Sequence, residues 1–168
     1  EISKCFENAK MMTIKGEIKT YTKKDVDFSY RQSSFDKNEI LIEATFKCHK
    51  GNINKINIDK LQASKSRKSN QPLKFRSAGS IFKNPSKEIA AGYLIEKAGL
   101  KGYEYGGASI SKKHANFIIN LGKAKAADVL HLINLAKSNV AKKFNINLEL
   151  EVKLIGFENN QSDHNNYA

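Results

Sequence analysis

Val129, Leu132, Ile133, Ala136 and Val140 recur at spacings of three and four residues, so Lys125 to about Lys143 reads as a helix with one apolar stripe. Soon after it the period changes. Leu148, Leu150, Val152 and Leu154 alternate with polar neighbours, the pattern of a strand buried on one face. Glu149, Glu151 and Lys153 then share its other face. A stripe and a face that both need covering imply helices packed on a sheet, an α+β architecture. Glu88 to Ala98 supplies a second amphipathic helix that stops at Gly99. Ser109-Ile110 and Phe117-Ile118-Ile119 supply further strand material.

The first part reads differently. Met11, Met12, Ile14 and Ile18 around Gly16 suggest a short hairpin. Thr22-Lys23-Lys24-Asp25 resembles a capping box and predicts a short helical turn. Glu39 to Lys47 alternates as a strand. These few strands form an incomplete sheet that buries little on its own. The run from Lys65 to Asn70 is basic and polar, which places a linker there. The expected organisation is 1–64, a link at 65–70, a second domain at 71–157 and a disordered Asn-rich tail at 158–168.

The formal charge is +12 over 168 residues. A basic chain attracts polyanions without any built site, so nucleic acid, an anionic membrane surface and a nucleotide diphosphate all suit it. No helix-turn-helix or aromatic-stacking motif is visible, and the lysines are spread along the chain, which argues against nucleic acid. Cys5 and Cys48 have no CxxC partner, and His49, His114, His131 and His164 lack ligand spacing. A disulfide framework and a metal site are therefore not expected, and a reducing cytoplasm is. No run of 18 apolar residues occurs, so no membrane span is expected.

The stretch Ser77-Ala78-Gly79-Ser80-Ile81-Phe82-Lys83-Asn84-Pro85 carries the chemistry. Gly79 can bend the chain sharply and expose Ser80. Asn84 reads as an N-cap with Pro85 at the first helical position, which would set Ser80 beside the electropositive start of a helix. On these residues alone, a structural turn explains the motif as well as an anion site does.

Four further segments accompany it in order: Tyr30-Arg31-Gln32-Ser33-Ser34-Phe35; Ala98 to Ala108 with its Gly106-Gly107 pair; Lys113-His114-Ala115-Asn116-Phe117-Ile118-Ile119-Asn120; and Leu148 to Gly156. Together they resemble the UDP-N-acetylenolpyruvoylglucosamine reductase family, flavoenzymes that make UDP-N-acetylmuramate for peptidoglycan. The resemblance implies catalytic roles for Arg31, Ser80 and Glu151. It implies substrate contacts for Lys83, Asn84 and His114, with His114 and Asn116 either beside the substrate or structural, and flavin contacts for Ile2 and for Tyr30, whose alternative is simple packing. It implies FAD as cofactor, NADPH as hydride source and UDP-N-acetylglucosamine enolpyruvate as substrate, with a cytoplasmic monomer that binds neither nucleic acid nor membrane. Residues 1–64 then correspond to the end of the FAD-binding domain and 71–157 to the substrate domain. The family's Gly-rich FAD segment has no counterpart here, and Gly106-Gly107 precedes a short strand and offers no cradle. Two departures stand out: Leu150 where the family has Pro, and Arg76 where related sequences usually carry Pro. Arg76 adds a cation for a diphosphate to meet. The rival readings are a fragment without turnover and a non-catalytic basic module that binds nucleic acid or other polyanions.

Overall fold

The computed structural model describes residues 2–157. The tail expected to be disordered, 158–168, lies outside the described residues. The chain divides into two compact units, Glu1–Lys60 and Leu61–Ala168.

In the first unit a 3-10 turn at Ile2–Lys4 leads into β1 (Phe6–Met12), which pairs antiparallel with β2 (Ile18–Thr22) as the expected hairpin. The short strands β3 (Phe28–Ser29) and β4 (Gln32–Ser33) form a second, tight hairpin. Strand β5 (Ile40–Phe46) completes a three-stranded sheet in the order β2-β1-β5. Its core is small: Phe6, Ala9 and Val26 are buried, with Tyr21 and Phe35 packed against them. Phe6 meets Phe28, Phe35 and Phe46 edge to face. The alternation of β5 is real but its apolar residues are not covered, since Ile40, Leu41, Ile42 and Phe46 are all exposed. The helical turn expected at Thr22 does not form. Asp25 Oδ2 accepts from the Thr22 N–H at 2.8 Å and from its hydroxyl at 2.6 Å, which closes a reverse turn after β2.

Helix α1 (Ile53–Asn70) includes the residues expected as a linker, so the link is helical. Asn52 caps it, its Oδ1 accepting from the Asn54 and Lys55 amides. None of its residues is buried.

The second unit is α+β. Strands β6 (Arg76–Ser80), β7 (Glu104–Tyr105), β8 (Ala108–Ile110) and β9 (Phe117–Asn120) make an antiparallel sheet in the order β6-β9-β8-β7. Helices α2 (Ala91–Lys97) and α3 (Ala126–Phe144) cover one face. The predicted stripe of α3 does this: Leu132, Ile133, Ala136 and Val140 pack with Ile81, Phe82, Leu94, Ile95, Ile110, Ile118 and Leu148. Phe117 and Ile119 alternate with Ile118 and are buried outside that cluster, as the pleat requires.

The expected final strand is reduced to a single bridge, Phe82↔Leu150. Leu148 is buried, but Leu154 is exposed, so the alternation loses its cover before its end. The helix expected from Glu88 begins at Ala91, and Pro85 is not its first residue. Asn84 still caps it, from seven residues away: its Oδ1 accepts from the Ala91 N–H at 3.1 Å. Gly99 follows the helix at φ +82°, as its C-terminal role demands.

Candidate active site

Strands β6 and β9 lose register between Ser77↔Ile119 and Ser80↔Phe117: three steps along β6 oppose two along β9. This is a β-bulge, and Gly79 occupies it at φ +88°. A Cβ on Gly79 would meet nothing, so conformation and not space requires glycine there. Bulges re-aim the next side chain, and here that side chain is Ser80.

Ser80 is half-buried and lines a groove of about 520 Å³ together with Ser77, Phe75, Phe117, Arg67 and Arg76. No carboxylate lines it. Arg67 comes from the last turn of α1 and is steadied by Gln71, whose Oε1 accepts from its Nε at 3.1 Å. The sequence offered one sign of this, the unusual Arg76. Arg67 was hidden in a stretch read as a solvated link. A second, more apolar groove of about 580 Å³ shares Leu73 and Phe75 with the first but not Ser80.

The electropositive helix start expected beside Ser80 is absent. Ser80 ends a strand, and the short α2 begins eleven residues later with Asn84 on its first amide. The positive groups that share a groove with the Ser80 hydroxyl are Arg67 and Arg76.

Residues 81–83 are held from two sides. The Ile81 N–H donates to the Asn116 carbonyl at 2.9 Å. The Asn116 side chain then acts as a stand-in peptide: its Oδ1 accepts from Phe82 N–H at 2.9 Å and its Nδ2 donates to Phe82 O at 2.8 Å. On the opposite edge Lys83 N–H donates to Glu149 O, and Glu151 N–H donates to Ile81 O, both at 2.8 Å. The ammonium of Lys83 is ion-paired with the Glu149 carboxylate. The backbone thus ties Ser80, Lys83, Glu149 and Glu151 to one short segment, with Glu151 half-buried and Glu149 exposed.

His114 is half-buried. Its Nδ1 accepts from the Asn116 N–H at 3.2 Å and its ring meets Phe117 edge to face. Burial is the main influence pushing its pKa below the ordinary value, so the imidazole is held neutral. Gly92 lets α2 approach it, since a Cβ there would lie 3.0 Å from His114 Cε1. These contacts give His114 and Asn116 structural work.

Arg31 and Tyr30 lie in the first unit, at the two-residue turn between β3 and β4. The Arg31 guanidinium sits 5.1 Å from the Tyr30 ring centroid. Arg31 holds φ +59°, which is costly for a residue with a Cβ, and such strain marks positions that a structure holds for a purpose. Ile2, in the first turn, is exposed.

The residues present do not fit a flavin pyrophosphate at the glycine pair. A Cβ on Gly107 would strike the Lys123–Ala124 backbone at 2.4 Å, and one on Gly106 would strike Asp128. That turn is filled by the start of α3, where Asp128 Oδ2 accepts from the amides of Gly107 and Lys125. Among the described residues no acidic or histidine cluster could hold a metal ion.

Comparison with known proteins fits these features to a family. The family model described as UDP-N-acetylenolpyruvoylglucosamine reductase, C-terminal domain, matches residues 71–155. The chain belongs to this family. It is 50% identical over 134 residues to the UDP-N-acetylenolpyruvoylglucosamine reductase of Fervidobacterium nodosum, covering 79% of this chain and 43% of that protein. With the same reductase from Pediococcus pentosaceus it shares 43% identity over 159 residues, covering 94% of this chain and 53% of the relative. The crystal structure of UDP-N-acetylenolpyruvylglucosamine reductase (MurB) from Thermus caldophilus matches 90% of this chain and 53% of its own, with a TM-score of 0.77 and 34% identity. The chain therefore spans about half the length of the curated relatives it matches.

Proposed function

We propose that this chain carries the proton-donating, substrate-holding side of a flavin-dependent reductase that converts UDP-N-acetylglucosamine enolpyruvate to UDP-N-acetylmuramate for peptidoglycan. The observation that carries the reading is Ser80, re-aimed by the Gly79 bulge into a groove that holds two arginines and no carboxylate. In this reading FAD, reduced by NADPH, would supply the hydride, with Tyr30 and Ile2 of this chain against the flavin.

This chain's residues handle the rest. Reduction of the enol ether places hydride on one carbon and a proton on its neighbour, through a state with enolate character. Ser80 gives that proton. A free serine is a poor acid, and the guanidiniums of Arg67 and Arg76 in the same groove stabilise the alkoxide left behind. Arg31 holds the enolpyruvyl carboxylate with a planar fork suited to two parallel bonds. Glu151, whose amide is fixed on Ile81, contributes a carboxylate at the reacting end. Lys83 meets the nucleotide sugar by exchanging its Glu149 partner for the ligand's anion.

The test separates the two half-reactions. In the flavin-loaded, full-length reductase bearing these residues, Ser80→Ala should leave flavin reduction by NADPH unchanged. Substrate reduction should slow by about 100- to 10,000-fold, the usual weight of a general acid. Equal losses in both half-reactions would mean that Ser80 shapes the flavin site. No turnover of this substrate by the unaltered enzyme would sink the reading.

A further inference from the structure

Ser80 sits at a loose joint of the backbone. Gly79 precedes it inside the bulge at φ +88°, and Ser80↔Phe117 is the last rung between β6 and β9. Beyond that rung the chain leading into β9 turns away, with the Phe117 N–H donating to the His114 carbonyl at 3.0 Å. A side chain between a left-handed glycine and the end of a ladder takes its aim from whatever holds the residues after it. Asn116 holds them. Its carbonyl accepts from the Ile81 N–H, and its side-chain amide takes both backbone groups of Phe82. The amide suits this task because it presents an acceptor and a donor on one plane, as a strand's own backbone would. Asn116 is 4% exposed, so water does not compete for these bonds.

We propose that Asn116 is a positioning residue for the proton transfer, acting through Ile81 and Phe82 to fix the aim of the Ser80 hydroxyl. The inference rests on the proposed function for Ser80 as the donor. Asn116 is not among the residues that line the Ser80 groove, so it works through the backbone and not on a ligand. The side chains of Ile81 and Phe82 are anchored in the core, which fixes where the segment lies. The Asn116 amide fixes how its peptide planes are turned, and that rotation is passed back to the residue beside the glycine. Proton transfer is sensitive to such a turn, since a misplacement of about 1 Å costs about 100-fold in rate.

The experiment uses the flavin-loaded, full-length reductase bearing these residues and follows flavin oxidation by UDP-N-acetylglucosamine enolpyruvate in single turnovers. Asn116→Asp keeps the acceptor for the Phe82 N–H and removes the donor to the Phe82 carbonyl. It should leave flavin reduction by NADPH unchanged and slow the substrate step by about 10- to 100-fold, the scale of a misplaced group. Asn116→Ser, shorter and still polar, repeats the test should the aspartate variant not fold. In a Ser80→Ala background the same change should cost less than about twofold, because residues that act as a unit do not lose their effects independently. Lost stability alone would multiply into both backgrounds. Gly107→Ala is the control, since it strains the same unit at the start of α3, away from residues 81–83. Its substrate step should stay within about twofold of the unaltered enzyme. An unchanged substrate step in the Asn116 variants, an undiminished loss in the Ser80→Ala background, or an equal loss in Gly107→Ala would each overturn the positioning role while leaving Ser80 as the donor. A substrate step left intact by Ser80→Ala would remove the donor itself, and the positioning role with it.

Discussion

At the scale of single residues, Asn116 does more than its position in a loop suggested. Its amide replaces a missing strand partner for Phe82 and is itself buried. Leaving a buried donor or acceptor unpaired costs about 1–3 kcal/mol. Asn116→Leu, which fills the space but pairs with neither group, should therefore destabilise the second unit by about 2–6 kcal/mol in denaturant melts, twice that cost. Its ring neighbour His114 gives a pH signature. The folded pKa is pushed below the ordinary 6.5 by burial, so the fold favours the neutral ring. That contribution is whole above the unfolded pKa and is lost as pH falls below it toward the folded one. Thermal melts from pH 7.5 to 5 should show falling stability, and His114→Gln should flatten part of that slope. A slope identical in the variant would remove His114 from the account. Neither role was legible from the chain alone, because an Asn two residues after a His carries no signal of which backbone it will reach.

At the scale of elements, legibility followed apolar periodicity. Helix α3 and strands β8 and β9 were readable because burial imposes their apolar content, whereas β5 alternates in sequence with no residue buried. Helix α1 was not, because it buries nothing and so has no stripe; its only signals were the cap at Asn52 and a run of good helix formers. The final alternating segment reads as a strand yet finds only one bridge, since a pattern states what a strand would bury and not whether a partner edge is there. The Gly106-Gly107 turn shows a requirement of space. Asp128 ties the α3 start to Gly107, and the two backbones approach too closely for any side chain. Overpacking typically costs about 1–3 kcal/mol. Gly107→Ala should reduce stability by about that amount or more, read as an earlier urea midpoint at unchanged slope. A neutral result would mean that the α3 start yields more easily than its geometry implies.

At the scale of the molecule, the chain divides between Lys60 and Leu61 into an open sheet unit with a small core and an α+β unit with a large one. The bulge at Ser80 could be suspected from Gly79, but the grouping of Arg67 and Arg76 with Ser80 could not, since it depends on a helix with no periodic signature. The open unit has a consequence for handling. Strand β5 is terminal in its sheet and carries Ile40, Leu41 and Ile42 in succession, all exposed. An edge of this kind is a template for like strands from other molecules. What opposes that contact is mutual repulsion between chains of charge +12, and repulsion of that sort shrinks to a range of about 8 Å at physiological ionic strength and about 3 Å at 1 M. Colloidally, the chain should stay dispersed in dilute buffer and associate as sodium chloride is raised, the reverse of salting-in. Light scattering across a salt series would show it, and Leu41→Lys should delay the onset. Scattering that stayed flat up to 1 M would mean that the β5 edge is protected by something other than charge.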